Sequence, residues 1–349
     1  MLRGLAISMI CLHNFMHLIC NIKECEYDFY PENVEMLLSF KSLSPENLLF
    51  LLFSFFGWYG VMAFVFLSGY GLVMKYEKKG APLHPWSYLK HNYVKLLLLM
   101  SVPWFLYSYG HLFTPVSAYQ LTFTINLFSP DDIMPGVYWY FGLALQLYVL
   151  YVFFYYKRSD KWLYGVSLAM LVLGFAFMPL SPNPIHYHLR YNSPLWLPVF
   201  LMGVWFARGG KDSSVMDFVA SHRTLSMLAF FILWVCSSVM KLLWVLSPIF
   251  FVLLMITIFH ERRLDDAPHN STGKISSAFR NCLVFLGTIS PGIFVWHPYF
   301  RRLAIQAYYA GDMNVWLILL LYLLVTLLVS SLYTPLYRRV LPKVLLWLK

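Results

Sequence analysis

Residues 222–260 read HRTLSMLAFFILWVCSSVMKLLWVLSPIFFVLLMITIFH, an almost unbroken apolar run of 39 residues. A single helix of that length would extend ~58 Å, about twice the hydrocarbon thickness of a bilayer. The small polar residues Ser237 and Ser238 and the charged Lys241 interrupt the run near its middle. The stretch therefore predicts two membrane crossings, with the break near these three residues.

The rest of the chain repeats this pattern. Of its 349 residues, 60 % are hydrophobic and 12 % are charged, and the mean hydropathy is +0.62. A soluble domain carries roughly twice as much charge. The sequence therefore predicts an all-α, polytopic membrane protein with about ten transmembrane helices. The apolar runs lie at 2–21, 47–74, 89–108, 136–156, 161–179, 194–208, 222–239, 242–260, 281–300 and 313–335.

The loops between the apolar runs are short, and the longest are residues 22–46, 109–135 and 261–280. None of them is long enough for a soluble domain, so we expect one transmembrane domain over residues 1–349. Arg3 is followed at once by an apolar segment without a small-residue cleavage site. The first segment is therefore expected to remain as a helix.

The distribution of positive charge predicts the orientation. With ten crossings and the N-terminus inside, twenty of the 26 Lys and Arg residues fall on the inner side and six on the outer side. The positive-inside rule therefore predicts that both termini are cytoplasmic. The net charge of +10 then reflects topology, and we expect no nucleic-acid partner.

The sequence predicts no metal cofactor and no disulfide framework. The five cysteines show no metal-ligand spacing. His13 and His17 lie one helical turn apart, which is a spacing that a metal ion can bridge, but no cluster of further ligands accompanies them.

Polar side chains inside a crossing are costly and mark functional candidates. His13 lies ~15 Å beyond Arg3 along the first helix, near the bilayer midplane, and His17 follows one turn later on the same face. A neutral imidazole can take a proton from a hydroxyl group, which makes either histidine a candidate general base. The alternative is a histidine that only hydrogen-bonds a neighbouring helix.

Four further residues are candidates for contact with a substrate: Trp139, Gln146, His297 and Arg301. Trp139 lies where the fourth run begins, and Gln146 lies deeper in that run, near the depth of His13; the alternative for this glutamine is interhelical hydrogen bonding. His297 is expected near the outer face, where its Trp-His-Pro sequence is also typical of an interfacial anchor and helix stop. Arg301 and Arg302 run against the positive-inside trend and favour an anionic partner there.

Assembled in order, these features resemble the acyltransferase 3 family of bacterial membrane O-acyltransferases over nearly the whole chain. The family's first helix opens with an Arg-Gly-Leu-Ala-Ile-like start followed by a histidine, which residues 3–7 and His13 match. Three further family patterns are matched, by GVMAFVFLSGY at 60–70, by WYFGL at 139–143, and by LGTIS at 286–290 with His-Pro at 297–298.

The resemblance implies transfer of an acyl group, usually acetyl, from cytoplasmic acetyl-CoA to a hydroxyl of an extracytoplasmic glycan or glycolipid. It implies an enzyme of the bacterial cytoplasmic membrane whose first-helix histidine is the base. The family usually has ten residues between its arginine and histidine, whereas Arg3 and His13 are separated by nine, so an ungapped match falls on Asn14. Asparagine accepts no proton, so His13 is expected as the base, with His17 as the alternative.

The remaining roles follow from this resemblance and from predicted depth. The family often has Arg-x-x-Arg at the inner end of its third helix, and here only Lys95 keeps a positive charge. We expect Arg3 and Lys95 to contact the CoA phosphates, and Trp139, Gln146, His297 and Arg301 to line the path or site of the other substrate.

One other functional class fits the same composition, and a further class fits it poorly. A transporter or flippase for a lipid-linked glycan also places histidine and glutamine at the midplane, without covalent chemistry. A purely structural membrane subunit agrees poorly with so many polar groups inside the crossings.

Overall fold

The computed structural model describes residues 1–24, 28–39, 44–108, 114–180, 184–259, 277–311 and 313–347. Within these ranges the chain is helical and contains no β-strand, which confirms the all-α prediction. The helices described are α1 Leu2–Cys20, α2 Pro31–Leu38, α3 Pro45–Phe56, α4 Gly60–Val73, α5 Pro85–Tyr107, α6 Pro115–Leu121, α7 Ile125–Phe128, α8 Trp139–Leu150, α9 Asp160–Phe177, α10 Pro184–Tyr191, α11 Leu197–Arg208, α12 Ser214–Ser221, α13 Arg223–Val239, α14 Ser247–Phe259, α15 Ser277–Ala310 and α16 Val315–Trp347.

Seven helical segments of the described residues are long and apolar enough to cross a membrane: Leu2–Cys20, Asn47–Lys78, Gly136–Tyr155, Asp160–Phe177, Lys241–Phe259, Ser277–Ala310 and Val315–Trp347. The pair α12 and α13, bent by 101°, is an eighth candidate. Each of the ten predicted runs lies mainly on helix. Helices α5 and α11 fall outside the set of candidate spans, and α11 has only 12 residues. The chain is therefore a helical membrane protein, and ten crossings and the inner position of both termini stay predictions.

The long apolar run at 222–260 divides as its sequence predicts. Helix α13 ends at Val239, a short 3₁₀ turn spans Lys241–Leu246, and α14 begins at Ser247. The hydroxyl groups of Ser238 and Ser247 lie 2.7 and 2.6 Å from the hydroxyl oxygen of Tyr59. Ser238 and Ser247 are thus hydrogen-bonded to Tyr59, which lies in the segment Asn47–Lys78, instead of facing lipid.

Helix α1 lies at the centre of the packing, in contact with α3, α4 and α15. In turn α15 packs on α16, and α4 packs on α11. The outer face of α16 carries exposed leucines, which suits contact with lipid; they include Leu317, Leu320, Leu324, Leu328 and Leu332. Side chains on α1 are therefore enclosed by other helices, and ten of them are buried.

Two predicted helix ends are wrong. Helix α15 passes through His297 and Pro298 and continues to Ala310, and α16 continues past residue 335 to Trp347. A proline inside a helix removes one backbone hydrogen bond, and neighbouring helices make that loss tolerable in a membrane protein. As a consequence His297 lies inside a helix and is fully buried, so it is not a helix stop at the interface.

Candidate active site

His13 lies near the middle of α1 and is 1 % exposed. Its Nδ1 is 2.9 Å from the carbonyl oxygen of Ser54 on α3. A carbonyl oxygen only accepts, so Nδ1 carries the proton in this hydrogen bond and, in the neutral ring, Nε2 holds the lone pair. The contact therefore fixes the tautomer in which Nε2 is the proton acceptor.

Close backbone approach holds His13 in place. The helical turn at Gly57 lies directly against α1: a Cβ built on Gly57 would be 2.6 Å from the Cβ of His13 and 2.8 Å from the carbonyl oxygen of Met9. Only glycine fits there without displacing one of the two helices. The glycines of the second run thus give the close packing that small residues in membrane helices favour.

A cavity of about 440 Å³ lies between α1, α4, α5, α8, α15 and α16. Five basic side chains line it: Arg3, Lys75, His91, Lys95 and Arg338. Arg3, Lys75 and Arg338 are exposed, so the cavity opens to the surface at its basic end. Among the described residues, no aspartate or glutamate lines it. Its volume is typical of a small-molecule site, and its charge suits a polyanion.

The deeper wall of this cavity is apolar and aromatic. It is formed in part by Phe64, Leu67, Leu96, Leu99 and Phe141. Ser68, which also lines the cavity, donates internally to the carbonyl oxygen of Phe64 at 2.8 Å. The cavity therefore combines a charged opening with a largely apolar interior.

A second, small pocket of about 10 Å³ lies beside His13. Its wall includes Asn14, Trp58, Val137 and Trp139. Four other residues line both this pocket and the large cavity: Ile10, Val61, Tyr140 and Phe294. These four, called the constriction below, place the general-base candidate at the inner end of the large cavity.

Arg301 connects α15 to α1 next to His13. Its Nη1 donates to Oδ1 of Asn14 at 2.6 Å and to the backbone oxygen of the same residue at 3.3 Å. The Nδ2 of Asn14 donates to the carbonyl oxygen of Ile10 at 2.9 Å, so the amide is held from both ends. The structure thus brings Arg301 into contact with a residue of the small pocket.

His17 lies one turn beyond His13 and lines neither cavity. The two imidazole rings stack with their centroids 5.0 Å apart. The Nδ1 of His17 donates to the carbonyl oxygen of Ile22 at 3.3 Å, and its Nε2 lies 3.5 Å from a carboxylate oxygen of Glu24. His17 therefore faces the loop after α1, whereas His13 faces the pocket.

Three of the residues expected at the substrate site line neither cavity: Arg301, Gln146 and His297. Gln146 donates from Nε2 to Oδ1 of Asn192 at 2.6 Å and accepts from the backbone N–H of Ser193 at 2.9 Å, which is the interhelical alternative for this glutamine. His297 donates from Nδ1 to the carbonyl oxygen of Ile293 at 3.0 Å, and its buried Nε2 has no hydrogen-bond partner among the described residues. Its role as a substrate contact stays a prediction.

Several lining residues escaped prediction from the sequence. Lys75 and Arg338 belong to the positive residues that predict orientation, and both also line the large cavity with Arg3 and Lys95. Tyr140 and Phe294 are one residue and three residues away from the predicted Trp139 and His297. The signal for Tyr140 and Phe294 is their position in family-like motifs, since each follows or precedes a residue that the motifs single out.

A comparison with protein-family models decides the class of the protein. The model of the acyltransferase 3 family (Acyl_transf_3, acyltransferase domain) matches residues 1–334, nearly the whole chain. The chain belongs to this family. It is thus a membrane acyltransferase, and the resemblance seen in the motifs is confirmed. No curated protein and no solved structure matches the chain.

The described residues contain no group of three or more His, Cys, Asp or Glu side chains placed to hold a metal ion.

Proposed function

We propose that this acyltransferase transfers an acyl group from cytoplasmic acyl-CoA, most simply acetyl-CoA, to a hydroxyl of an extracytoplasmic glycan or glycolipid. The observation that carries the proposal is the large basic cavity that ends, through the constriction, at His13. We place the enzyme in a bacterial cytoplasmic membrane, with both termini inside.

The basic end of the large cavity is the site for the CoA phosphates. Arg3 and Lys95, together with Lys75 and Arg338, supply positive charge there, and no described aspartate or glutamate lines this cavity. Phosphate groups gain most from such clustered cations. The apolar wall beyond them suits the uncharged pantetheine arm, which carries the thioester toward the constriction.

His13 is the general base in this proposal. Its Nε2 takes the proton of the acceptor hydroxyl as the hydroxyl oxygen attacks the thioester carbonyl carbon. The C–S bond then breaks, the ester is formed, and the proton on Nε2 passes to the departing CoA sulfur. The Ser54 carbonyl stabilises the imidazolium that exists between these two proton transfers.

Arg301 and Asn14 supply charge and a polar wall beside the reacting carbonyl. Negative charge develops on the thioester oxygen during attack, and a fixed cation nearby stabilises it in a dry site. The contact of Arg301 with Asn14 supports this role. Trp139, which lines the small pocket, offers an aromatic face toward the acceptor side.

The decisive experiment gives the purified protein labelled acetyl-CoA and a glycan acceptor and measures acetyl transfer. We expect His13→Ala to lower kcat by roughly 10²- to 10⁴-fold, because a positioned base contributes that much. The variant His17→Ala tests the alternative that His17 is the general base. His222→Ala, on an exposed histidine bonded to Ser221, is the matched control and should retain activity.

Transfer that survives both His13→Ala and His17→Ala would refute the histidine role. Absence of acyl-CoA binding in detergent, together with glycan movement in liposomes, would instead identify a transporter or flippase. Mass analysis of surface glycans with and without the gene then identifies the acceptor.

A further inference from the structure

The constriction between the two cavities is built from four side chains on four helices. Ile10 comes from α1, Val61 from α4, Tyr140 from α8 and Phe294 from α15. The rings of Tyr140 and Phe294 meet edge to face, with centroids 5.4 Å apart. Since each side chain belongs to a different packed helix, the opening cannot widen by moving a single loop.

Neighbouring groups hold the two rings in place. The hydroxyl of Tyr140 lies 3.4 Å from the hydroxyl oxygen of Ser68, and Phe294 also packs against Phe141 at 5.6 Å between centroids. On the other side of the opening, Ile10 is 2 % and Val61 is 7 % exposed. The constriction is thus a packed apolar ring, and adding volume inside it displaces side chains that already have partners.

The cavities on the two sides of this ring differ greatly in volume. The cavity on the basic side measures about 440 Å³, whereas the pocket beside His13 measures about 10 Å³. The smaller volume is at the lower limit for holding one water molecule. A methyl group is at least as large as water, so the pocket holds at most the methyl of an acetyl group.

We propose that Ile10, Val61, Tyr140 and Phe294 set the acyl-chain length of the reaction and restrict the donor to acetyl-CoA. This inference rests on the proposed function, in which the thioester carbonyl must lie next to His13. With the carbonyl there, the acyl chain occupies the small pocket or the ring itself. Each extra methylene then meets one of the four side chains.

The test compares kcat/KM for acetyl-, propionyl- and butyryl-CoA with one glycan acceptor. For the unaltered protein we expect a fall of roughly 10- to 200-fold for each added methylene, the usual discrimination of a tight apolar pocket. Val61→Ala and, separately, Phe294→Leu enlarge the ring. Each should raise the propionyl-to-acetyl ratio at least tenfold.

Val65→Ala is the matched control for Val61→Ala. Val65 lies one turn further along α4, is fully buried, and lines neither cavity. The same truncation there should leave the propionyl-to-acetyl ratio unchanged, whatever its effect on stability. Phe294→Leu changes a different helix and keeps an apolar side chain. A folding defect in Val61→Ala is therefore not expected to recur in Phe294→Leu.

Three results would overturn the inference. Equal use of butyryl- and acetyl-CoA by the unaltered protein contradicts it directly. Acetyl transfer with an unchanged chain-length ratio in both enlarging variants removes the role of the ring while leaving the proposed function intact. No transfer from any of the three donors refutes the proposed function, and the chain-length inference with it.

Discussion

Arg301 is a polar side chain of α15 that contacts Asn14, a residue of the pocket beside His13. Its hydrogen bond to Asn14, at 2.6 Å, is charge-assisted and partly buried. Arg301→Ala removes both this contact and the positive charge. We expect kcat for acyl transfer to fall roughly 10- to 100-fold, since a hydrogen bond to a charged group contributes about 1.5–3 kcal/mol. Steady-state kinetics on purified protein measures this.

Arg302 provides the control for that prediction. Its guanidinium lies 5.4 Å from the ring centroid of Tyr107, away from the two cavities. Arg302→Ala should therefore leave kcat within about twofold. An equal loss in both variants would mean that Arg301 acts through general stability and has no specific role at the pocket.

The fate of the predicted site residues shows what depth along a helix can and cannot reveal. Counting residues places Gln146 level with His13, and both lie on transmembrane segments. Rotation about the helix axis decides which residue faces a cavity, and that depends on contacts between helices. Gln146 is hydrogen-bonded to Asn192 and Ser193, whereas Trp139 lines the small pocket. The sequence alone does not determine how a helix is rotated about its axis, and so it does not predict either contact.

At the scale of elements, the crossing of α1 with the turn at Gly57 decides where His13 lies. Gly57→Ala introduces a methyl group 2.6 Å from the Cβ of His13. We expect a loss of stability of about 1–3 kcal/mol, as for overpacked cores, together with a fall in kcat because α1 shifts. Thermal unfolding in detergent and acyl-transfer kinetics measure the two effects.

Gly165→Ala is the comparison at the same scale. Gly165 lies inside α9 and has no atom within 4 Å of its built Cβ. Alanine there should stabilise the helix by about 0.5–1 kcal/mol without affecting kcat. Unchanged kinetics in Gly57→Ala would show that His13 does not depend on this contact.

Helix existence was predictable from the sequence because apolar runs of twenty residues have few other solutions in a bilayer. The ends of the helices were harder to predict. Pro298 and Pro335 both look like terminators, yet α15 and α16 pass through them. Packing against neighbouring helices makes a missing backbone hydrogen bond tolerable in a membrane protein, and α15 packs against α1 and α16. Such compensation is a tertiary effect that a linear pattern does not contain.

At the scale of the whole molecule, the basic residues serve two purposes. Lys75, Lys95 and Arg338 lie at ends of segments that the positive-inside rule assigns to the cytoplasm, and the same three line the large cavity with Arg3. The residues that orient the protein in the membrane thus also mark the side from which a polyanionic donor enters. Orientation and donor access are one property in this proposal.

That coupling makes the membrane orientation a test of the mechanism. The proposed function takes its donor from the cytoplasm, and it therefore requires the basic end of the cavity and the C-terminal end of α16 to face that side. A green fluorescent protein fused after Lys349 should fluoresce, and alkaline phosphatase at the same point should be inactive. The same two reporters fused after Gly311, in the turn between α15 and α16, should give the opposite result. The reverse pattern would place the basic cavity on the outer face, where no acyl-CoA is present, and would exclude this cavity as its entrance.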